Sequence, residues 1–467
     1  MKMWSGRFRQ PLDPAFEKWQ RSFQFDRRLL EFELQASAAH ARALEQCGTV
    51  STDELKSVLR GLEEIGWQAQ SSAAFLDDAE AEDVHHFVEK NLVKIVGNVG
   101  YKLHSGRSRN EQIATDLRLY VRAACDEIMG ALHTLVNTFL DRADQAGDAA
   151  MPAYTHMQRA EPVLVAHWLL AYVEMFFRDA DRLADCRKRA NVCPLGSGAV
   201  AGSTLPLDRG LMSSELGFSG STANSMDATS DRDFVIEFVN ALSLITLHVS
   251  RWAEEMLLFS SQEYAFVQLP EAYSTGSSAM PQKLNGDLLE LTRAKAARVI
   301  GDVTSLMMIT KGLPLAYNKD LQETQEPLFH STETVVSLLP LITGWMGSVE
   351  FNFERMQAAA ESGYMNAFAA ATYLARKGVP FRIAHELVGR AVRVALDRHC
   401  ELEDLRLDEL KIIDAHFEAD FYTFVKLENV LAVHNTAGGT APVRVREAIA
   451  SARKRLGSVR EEAHAHA

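Results

Sequence analysis

The stretch SDRDFVIEFVNALSLITLHVSRWAEEMLLFSSQEY, Ser230–Tyr264, contains no proline and repeats apolar side chains at spacings of one, three or four residues. This pattern is typical of an amphipathic helix. At 1.5 Å per residue, such a helix is roughly 50 Å long, which suits a bundle better than a single-layer domain. Asp227, Thr229 and Ser230 are candidate N-caps. The stretch therefore predicts a long helix within an all-α protein.

Three other segments have a comparable helical character. Residues 15–151 contain no proline, which would remove a hydrogen bond and clash inside a helix. The predicted helices cover Asn110 to about Ala146, Ala160–Arg189 and Gly286–Lys311. Some of the long helices carry apolar residues on more than one face, as in Phe234–Ile236. Such helices often bury a second face against another subunit, so we expect a helical bundle in a homo-oligomer.

The composition is that of an acidic globular protein. The chain has 467 residues, of which 47% are hydrophobic and 24% charged, and its net charge is −13. These proportions are ordinary for a folded chain. The length allows two to four domains at ~100–200 residues each. Because the negative charge repels polyphosphates, we expect no nucleic-acid partner.

The cysteine and hydropathy patterns argue against several other classes. The five cysteines form no CxxC pair, which disfavours a zinc ribbon or a disulfide framework. The first nine residues are not followed by the apolar run of a signal peptide. The longest uncharged stretches contain proline, glycine and hydroxyl residues, unlike a membrane span of ~20 apolar residues. We therefore expect a soluble, cytoplasmic protein that does not bind membranes.

Two segments place polar side chains just before predicted helices. HSGRSRN, His104–Asn110, contains Arg107 and Arg109, and guanidinium groups at a helix start suit carboxylates. A capped turn with solvated arginines is the structural alternative. PAYTHMQRAEP, Pro152–Pro162, sets His156 among hydroxyl groups, where an imidazole could exchange protons near neutral pH. A purely structural histidine is the alternative there.

Two further segments are rich in glycine and serine. GSGAVAGST, Gly196–Thr204, superficially resembles a phosphate loop but lacks the GK[ST] ending, so it is a weak nucleotide signal. STGSSAMPQKLNGD, Ser274–Asp287, ends in Lys283 and Asn285 before a predicted helix. Such a loop could close over an anion.

The second of these segments carries the most specific motif. GSSAMPQKLN, Gly276–Asn285, resembles the GSSxMPxKxN signature of the fumarase/aspartase superfamily. Seven further motifs resemble one branch of it, the argininosuccinate lyase family. They are MWSGRF at 3–8, AEDVHHFVE at 81–89, HSGRSRNEQ at 104–112, YTHMQRAEP at 154–162, NSMDATSDRDFV at 224–235, AYNKDLQE at 316–323 and GGTAP at 438–442. The resemblance therefore extends along nearly the whole chain.

The resemblance implies an architecture and an assembly. It implies an all-α, three-domain fold with an N-terminal helical domain at 1–108, a central long-helix domain at 109–360 and a small helical domain at 361–467. In the family the central helices form a twenty-helix core in a homotetramer. Each active site draws the segments around His104–Gln112, Tyr154–Pro162 and Gly276–Gly286 from three subunits.

The resemblance also implies a reaction, namely the reversible β-elimination of argininosuccinate to L-arginine and fumarate, which is the last step of arginine biosynthesis. It implies neither a cofactor nor a metal. By resemblance, Ser277 is the general base, His156 is the general acid with Glu290 as its orienting carboxylate, and Lys283 stabilises the developing charge. The substrate-binding residues would be Ser22, Arg109, Asn110, Thr155, Asn285, Tyr317 and Gln322.

Three positions depart from the family pattern. Leu284 and Gly286 stand where the family usually has lysine and proline, and Gln325 stands where it usually has a lysine that holds the amino-acid end of the substrate. An amide can hydrogen-bond but cannot neutralise charge. Two alternatives therefore stay open. One is a related fumarate-releasing lyase that acts on a different N-substituted aspartate, and the other is a non-catalytic, crystallin-like structural protein.

Overall fold

The structure is a computed structural model that describes residues 9–465, and the motif at residues 3–8 lies outside this range. The all-α prediction is confirmed, since helices dominate and the strands are short. The helices are α1 (Pro14–Trp19), α2 (Phe23–Asp26), α3 (Leu30–Gln46), α4 (Thr52–Ser71), α5 (Val84–Val96), α6 (Arg109–Ala146), α7 (Val165–Ala190), α8 (Arg209–Glu215), α9 (Ser225–Ser230), α10 (Asp233–Ser260), α11 (Asp287–Thr310), α12 (Gln325–Ser348), α13 (Phe353–Ala360), α14 (Ala367–Arg376), α15 (Phe381–Asp397), α16 (Leu407–Ile413), α17 (Phe421–Phe424), α18 (Leu427–Val433) and α19 (Pro442–Ala465). The strands are β1 (Ala150–Thr155), β2 (Gln158–Leu164), β3 (Val267–Gln268), β4 (Thr275–Gly276), β5 (Leu284–Asn285) and β6 (Glu350–Phe351).

Helix α10 is the helix predicted from Ser230–Tyr264, and it spans 28 residues. The three candidate N-caps do not cap α10, since all three lie within the short helix α9. The N-cap of α9 is Asn224, whose side chain accepts hydrogen bonds from the backbone N–H groups of Met226 and Asp227. By length and composition alone α10 could cross a membrane, but 61% of its most apolar window is buried inside the fold. Its side chains Phe238, Leu242 and Trp252 are fully buried, as expected of a core helix.

Helix α7 begins at Val165, so the predicted start at Ala160 was wrong. Residues 158–164 form β2, which pairs antiparallel with β1 in a hairpin closed by Thr155 and Gln158. The two turn residues, His156 and Met157, have φ angles of 53° and 61°. Positive φ at both positions matches the twist of a two-residue hairpin turn. The pattern was missed because neither residue is glycine and the strands do not alternate in hydrophobicity.

Between residues 109 and 348 lie five helices of 24 residues or more, namely α6, α7, α10, α11 and α12, and α19 near the C-terminus also has 24 residues. At least four were predicted, and α12 is the additional one, with Pro340 inside it. Helix α11 has a wide exposed face that carries small and apolar side chains. They include Leu291, Ala294, Ala297, Ile300, Gly301 and Met308.

The described chain comprises two compact units. The first contains residues 9–129, 181–244 and 297–335, and the second contains 130–180, 245–296 and 336–465. In the first unit, α3 packs against α4, α5 and α8. In the second, the rings of Trp252 and Trp345 meet edge to face at 5.0 Å, and Phe139 lies 6.3 Å from Trp252. The three-domain division at residues 108 and 360 stays a prediction.

The turn geometry predicts that Met157→Gly stabilises the protein. A non-glycine residue at positive φ costs about 1–3 kcal/mol, and the 60% exposed Met157 side chain loses little packing when removed. Glycine is also more flexible in the unfolded chain, which offsets part of this effect. We therefore expect the free energy of unfolding to rise by about 0.5–1 kcal/mol. Thermal unfolding at fixed protein concentration should show a higher midpoint. An unchanged or lower midpoint would mean that the turn is not strained.

Candidate active site

A cavity of about 120 Å³ in the first unit collects five of the predicted substrate-binding residues. They are Ser22, Arg109, Asn110, Tyr317 and Gln322. Ser22 precedes α2, Arg109 and Asn110 begin α6, and Gln322 lies in the 3-10 helix Lys319–Thr324. Five polar residues with no predicted role line the same cavity, as does the apolar Ile113. They are Asp26, Glu82, Asp83, His85 and Lys319, and Gln325, noted only as a departure, joins them.

Arg109 is held in the cavity by two carboxylates. Its Nη1 lies 3.1 Å from Asp83 Oδ2 and 3.4 Å from Glu82 Oε2. Asp83 is the N-cap of α5 and accepts the His86 backbone N–H at 2.7 Å. Arg107 has a different role, because its Nη1 donates to Ser37 Oγ at 2.9 Å in the interior. Only Arg109 of the two predicted arginines therefore lines the cavity.

Asp26 is a buried acid at the edge of the cavity. Its carboxylate accepts the Ser22 hydroxyl at 2.6 Å and the Val84 backbone N–H at 3.1 Å. Burial, together with the negative charge of Asp83, raises the pKa of Asp26 to about 7. Asp26 and Asp83 are 57 positions apart and belong to no common sequence motif, so their proximity could not be predicted from the sequence.

His85 belongs to a buried ion-pair network. Its Nε2 lies 3.0 Å from Asp116 Oδ2 and 3.8 Å from Glu33 Oε2. Burial by itself would lower the pKa of His85, but hydrogen bonds to Asp116 and Asp83 and the charge of Glu33 raise it well above its usual value. We therefore treat His85 as a cation that balances the surrounding carboxylates.

The glycine-rich segment Gly196–Thr204 surrounds a protein carboxylate. Glu111 is fully buried, and the backbone N–H groups of Gly196 and Gly198 bond to its side chain. The Ser108 N–H adds a bond of 2.9 Å to the same carboxylate. Gly198 has φ 61°, and a Cβ there would lie 2.5 Å from the Gly202 carbonyl oxygen. The phosphate-loop resemblance thus reflects an internal carboxylate, which occupies the donors that a phosphate would need.

The serine-rich loop is closed at its base by β4 and β5. Thr275 pairs with Asn285 and Gly276 with Leu284. Ser277 is half-buried, and its Oγ accepts the backbone N–H groups of Ala279 at 3.3 Å and Met280 at 3.1 Å. The Asn285 side chain donates to the Gly276 carbonyl at 3.3 Å. The loop therefore directs two amide donors at the oxygen of the predicted base.

Gly286 follows this loop at a tightly packed position. A Cβ there would lie 2.9 Å from Leu257 Cδ2 and 3.5 Å from Leu289 Cδ1. The proline that the family usually has would need the Leu257 side chain to shift, whereas the distance to Leu289 is an ordinary van der Waals contact. The glycine is therefore matched to its local packing.

The remaining predicted residues lie elsewhere in the chain. Thr155 and His156 are exposed at the hairpin tip, Lys283 is exposed in the serine-rich loop, and Glu290 is exposed in α11. None of these residues, nor Ser277 or Asn285, lines the cavity. Within residues 9–465 of one chain, neither His156 nor Glu290 forms an ion pair. Their proposed partnership stays a prediction.

The sequence is closely similar to those of known enzymes. Residues 6–301 match the family model described as lyase, and residues 364–432 match that of the argininosuccinate lyase C-terminal region. The chain is 56% identical to the argininosuccinate lyase of Koribacter versatilis (strain Ellin345) over 467 residues, covering 100% of each chain. It is also 56% identical to that of Acidobacterium capsulatum, covering 98% of this chain and 96% of the relative.

Solved structures share the fold at much lower identity. A structure of EDDS lyase in complex with formate has a TM-score of 0.84 at 24% identity, covering 98% of this chain and 93% of that one. The 3-carboxy-cis,cis-muconate lactonizing enzyme from Pseudomonas putida has a TM-score of 0.74 at 20% identity, covering 95% of this chain and 100% of that one. These similarities identify the fold.

The raised pKa of Asp26 predicts a pH-dependent stability. Its ordinary value is 3.8 and its folded value about 7, so the folded state binds this proton more tightly than the unfolded state does. The resulting stabilisation is complete below the unfolded value and is lost as pH rises through about 7. Asp26→Asn cannot titrate, while Asp83 and His85, which face Asp26, stay in both proteins.

We therefore expect the midpoint of the wild type to fall relative to that of Asp26→Asn as the pH rises from about 4 to about 7, because over this range the unfolded state has released the proton that the folded state still binds. Thermal unfolding of both proteins across this range, at one protein concentration, measures the difference. If the thermal midpoints of the two proteins changed with pH in parallel, the pKa of Asp26 would not be raised.

Proposed function

The chain belongs to the argininosuccinate lyase family, and on that premise we propose how its own residues carry out the reaction. It is a carbon–nitrogen lyase that acts on a small molecule, converting argininosuccinate reversibly to L-arginine and fumarate in the last step of arginine biosynthesis. The observation that carries this function is the end-to-end similarity to two argininosuccinate lyases at 56% identity.

Ser277 is the proposed general base. Elimination begins with loss of a weakly acidic C–H proton beside a carboxylate, and a neutral hydroxyl is a poor base for it. The two backbone N–H groups that already bond to Ser277 Oγ would stabilise the alkoxide, because preorganised donors favour a developing negative charge. This geometry supports Ser277 in the role.

Lys283 and Asn285 are the proposed donors to the substrate carboxylate. Removing the proton places a second negative charge on that carboxylate, which a cation and an amide N–H can stabilise. Lys283 is exposed in the loop and has freedom to move toward a ligand. Asn285 is fixed at the loop base by its bond to Gly276. A mobile cation and a fixed amide thus flank the base.

His156 is the proposed general acid, and Glu290 would orient it. As the C–N bond breaks, its electron pair moves to the guanidino nitrogen, which takes a proton from the imidazole, while the carbon atoms form the double bond of fumarate. The hairpin turn presents His156 to solvent, where it is free to reach a ligand. Thr155 beside it is a proposed substrate contact.

The cavity residues Ser22, Arg109, Asn110, Tyr317 and Gln322 are the proposed binding site for the rest of the substrate. Burial raises the pKa of Tyr317, so its hydroxyl stays a hydrogen-bond donor. Gln322 is fixed by a bond of 3.2 Å from its Nε2 to the Gln20 carbonyl. These side chains are arranged before ligand binding, which limits the ordering that binding requires.

We propose a homotetramer whose active sites combine segments from three subunits. The five long helices in the middle of each chain, α6, α7, α10, α11 and α12, would provide twenty in a tetramer. The exposed small and apolar face of α11 supports close contact with another copy. We also propose a cytoplasmic location for this soluble enzyme.

The alternatives have less support. A crystallin-like structural protein would not need two amide donors directed at Ser277 Oγ. A different N-substituted aspartate is favoured only by the departures at Leu284, Gly286 and Gln325. Steady-state assay with argininosuccinate tests the function directly, through the ultraviolet absorbance of fumarate. Absence of turnover at micromolar enzyme would reject it.

Ser277→Ala should lose turnover by a factor of about 10³ or more, because the methyl group cannot take the proton. Calorimetric titration with argininosuccinate should still show binding. Ser278→Ala is the matched control, since Ser278 is the exposed neighbour, and should keep near wild-type turnover. A Ser277→Ala variant that retains most of its rate would exclude Ser277 as the base.

His156→Asn should lower kcat by about 10²–10⁴-fold without lowering the thermal midpoint. Asparagine tolerates positive φ better than histidine does, so the hairpin survives while the imidazole is lost. Met157→Gly alters the same turn but keeps His156, and it serves as the control. Equal losses of kcat in both variants would assign the effect to the hairpin rather than to the imidazole.

A further inference from the structure

Helix α3 carries three buried polar side chains on one face. Glu33, Ser37 and His40 follow each other at spacings of four and three residues, and all three are fully buried. Residues at these spacings lie on the same side of a helix. The other buried side chains of α3 are alanines and leucines. Because a buried polar group needs a partner, the partners of this face indicate its purpose.

Two of the three side chains bond to residues around the start of α6. The Ser37 hydroxyl accepts from Arg107 Nη1 at 2.9 Å and donates to Glu33 Oε1 at 2.6 Å. Gln112 Nε2 donates to the same Glu33 oxygen at 3.0 Å. The polar face of α3 therefore holds α6 on both sides of its first residue.

His40, the third side chain, makes a single hydrogen bond. Its Nε2 lies 3.0 Å from the Ser105 carbonyl oxygen, and its Nδ1 has no partner among the described residues. Burial and the charge of Arg107 lower the pKa of His40 to about 3, so the ring is neutral. Since a carbonyl oxygen can only accept, Nε2 carries the ring proton and donates it.

The connection into α6 is a turn whose backbone is held by distant side chains. Gly106 in this turn has φ 71°. His40 bonds to the Ser105 carbonyl, and Ser203 Oγ donates to the Gly106 carbonyl at 2.6 Å. Arg109, which begins α6 and lines the cavity, lies four positions after Ser105. The position of this turn therefore determines where α6 starts.

We propose that His40 is a positioning residue whose ring N–H fixes the Ser105 carbonyl, and with it the placement of Arg109 and Asn110 in the cavity. This inference rests on the proposed function, in which Arg109 and Asn110 bind the substrate. An apolar side chain of similar size would fill the same space in α3. It would leave the Ser105 carbonyl without its donor, and the turn would be free to move.

The steady-state KM for argininosuccinate isolates this bond in two variants. His40→Leu fills the space without a donor, and we expect it to raise KM by about five- to tenfold, the size expected for one lost hydrogen bond. The kcat should stay within about threefold of the wild type, because the proposed catalytic residues do not line the cavity. His40→Gln keeps an N–H donor and should hold KM within about twofold.

Ile65→Val is the control for a general loss of stability. Ile65 is fully buried in α4, and shortening its side chain should lower the thermal midpoint without changing KM. Thermal midpoints are measured for every variant at one protein concentration. If Ile65→Val raises KM as much as His40→Leu does, the effect of His40 is one of stability and the inference is overturned.

Hydrogen–deuterium exchange examines the turn without any turnover. The backbone amides of residues 105–108 should exchange about five- to tenfold faster in His40→Leu than in the wild type or His40→Gln, because the lost bond no longer opposes local opening. The inference is overturned if His40→Leu keeps the wild-type KM. It is also overturned if both His40 variants raise KM equally, or if exchange at the turn is the same in all three proteins.

The exchange measurement also separates this inference from the proposed function. If the wild type does not turn over argininosuccinate, the proposed function fails. Faster exchange at the turn in His40→Leu alone then still supports the positioning of this segment by His40, and equal exchange in both His40 variants refutes it.

Discussion

The ion pair between Arg109 and Asp83 determines the arrangement of the cavity. With 3.1 Å between Nη1 and Oδ2, it connects the start of α6 to the N-cap of α5. Asp83 therefore has a structural and an electrostatic role. Burial would raise its pKa, but the hydrogen bond to His85 and the charge of Arg109 hold that pKa well below its usual range. Burial of Asp26, together with this fixed negative charge, raises the pKa of Asp26 and keeps it partly protonated near neutral pH.

The same ion pair is part of a cavity lining that carries charges of both signs. Arg109, His85 and Lys319 provide positive charge, and Asp26, Glu82 and Asp83 provide negative charge. Because the buried charges are paired, the cavity does not carry an uncompensated ion. A ligand with both an ammonium group and a carboxylate exchanges its hydration for partners of each sign. The charged side chains of the cavity come from several elements. Asp83 and His85 lie at the start of α5, and Arg109 lies at the start of α6.

The sequence predicted the long helices because their apolar spacing is dictated by burial, which α10 shows through Phe238, Leu242 and Trp252. It also predicted the cavity residues, such as Arg109 and Gln322, through motifs. It did not predict the hairpin at His156, whose turn has no glycine or asparagine. The role of Gly198 was also missed, because its partner Glu111 lies far away in the sequence. Contacts of this kind depend on tertiary packing, which local patterns do not encode.

The hairpin shows how the fold supports an unfavourable local conformation at His156, the residue that we propose as general acid. Positive φ at His156 and Met157 opposes formation of the turn, so neighbouring contacts must stabilise it. Arg159, just beyond the turn, donates to the Ser362 hydroxyl at 2.9 Å and to the Ala359 carbonyl at 3.1 Å. These bonds attach β2 to the last turn of α13 and to the residues that follow it. They hold the hairpin in place while its tip stays exposed, which lets an imidazole be presented from a rigid base. A flexible loop could expose the same histidine, but it would not fix its direction.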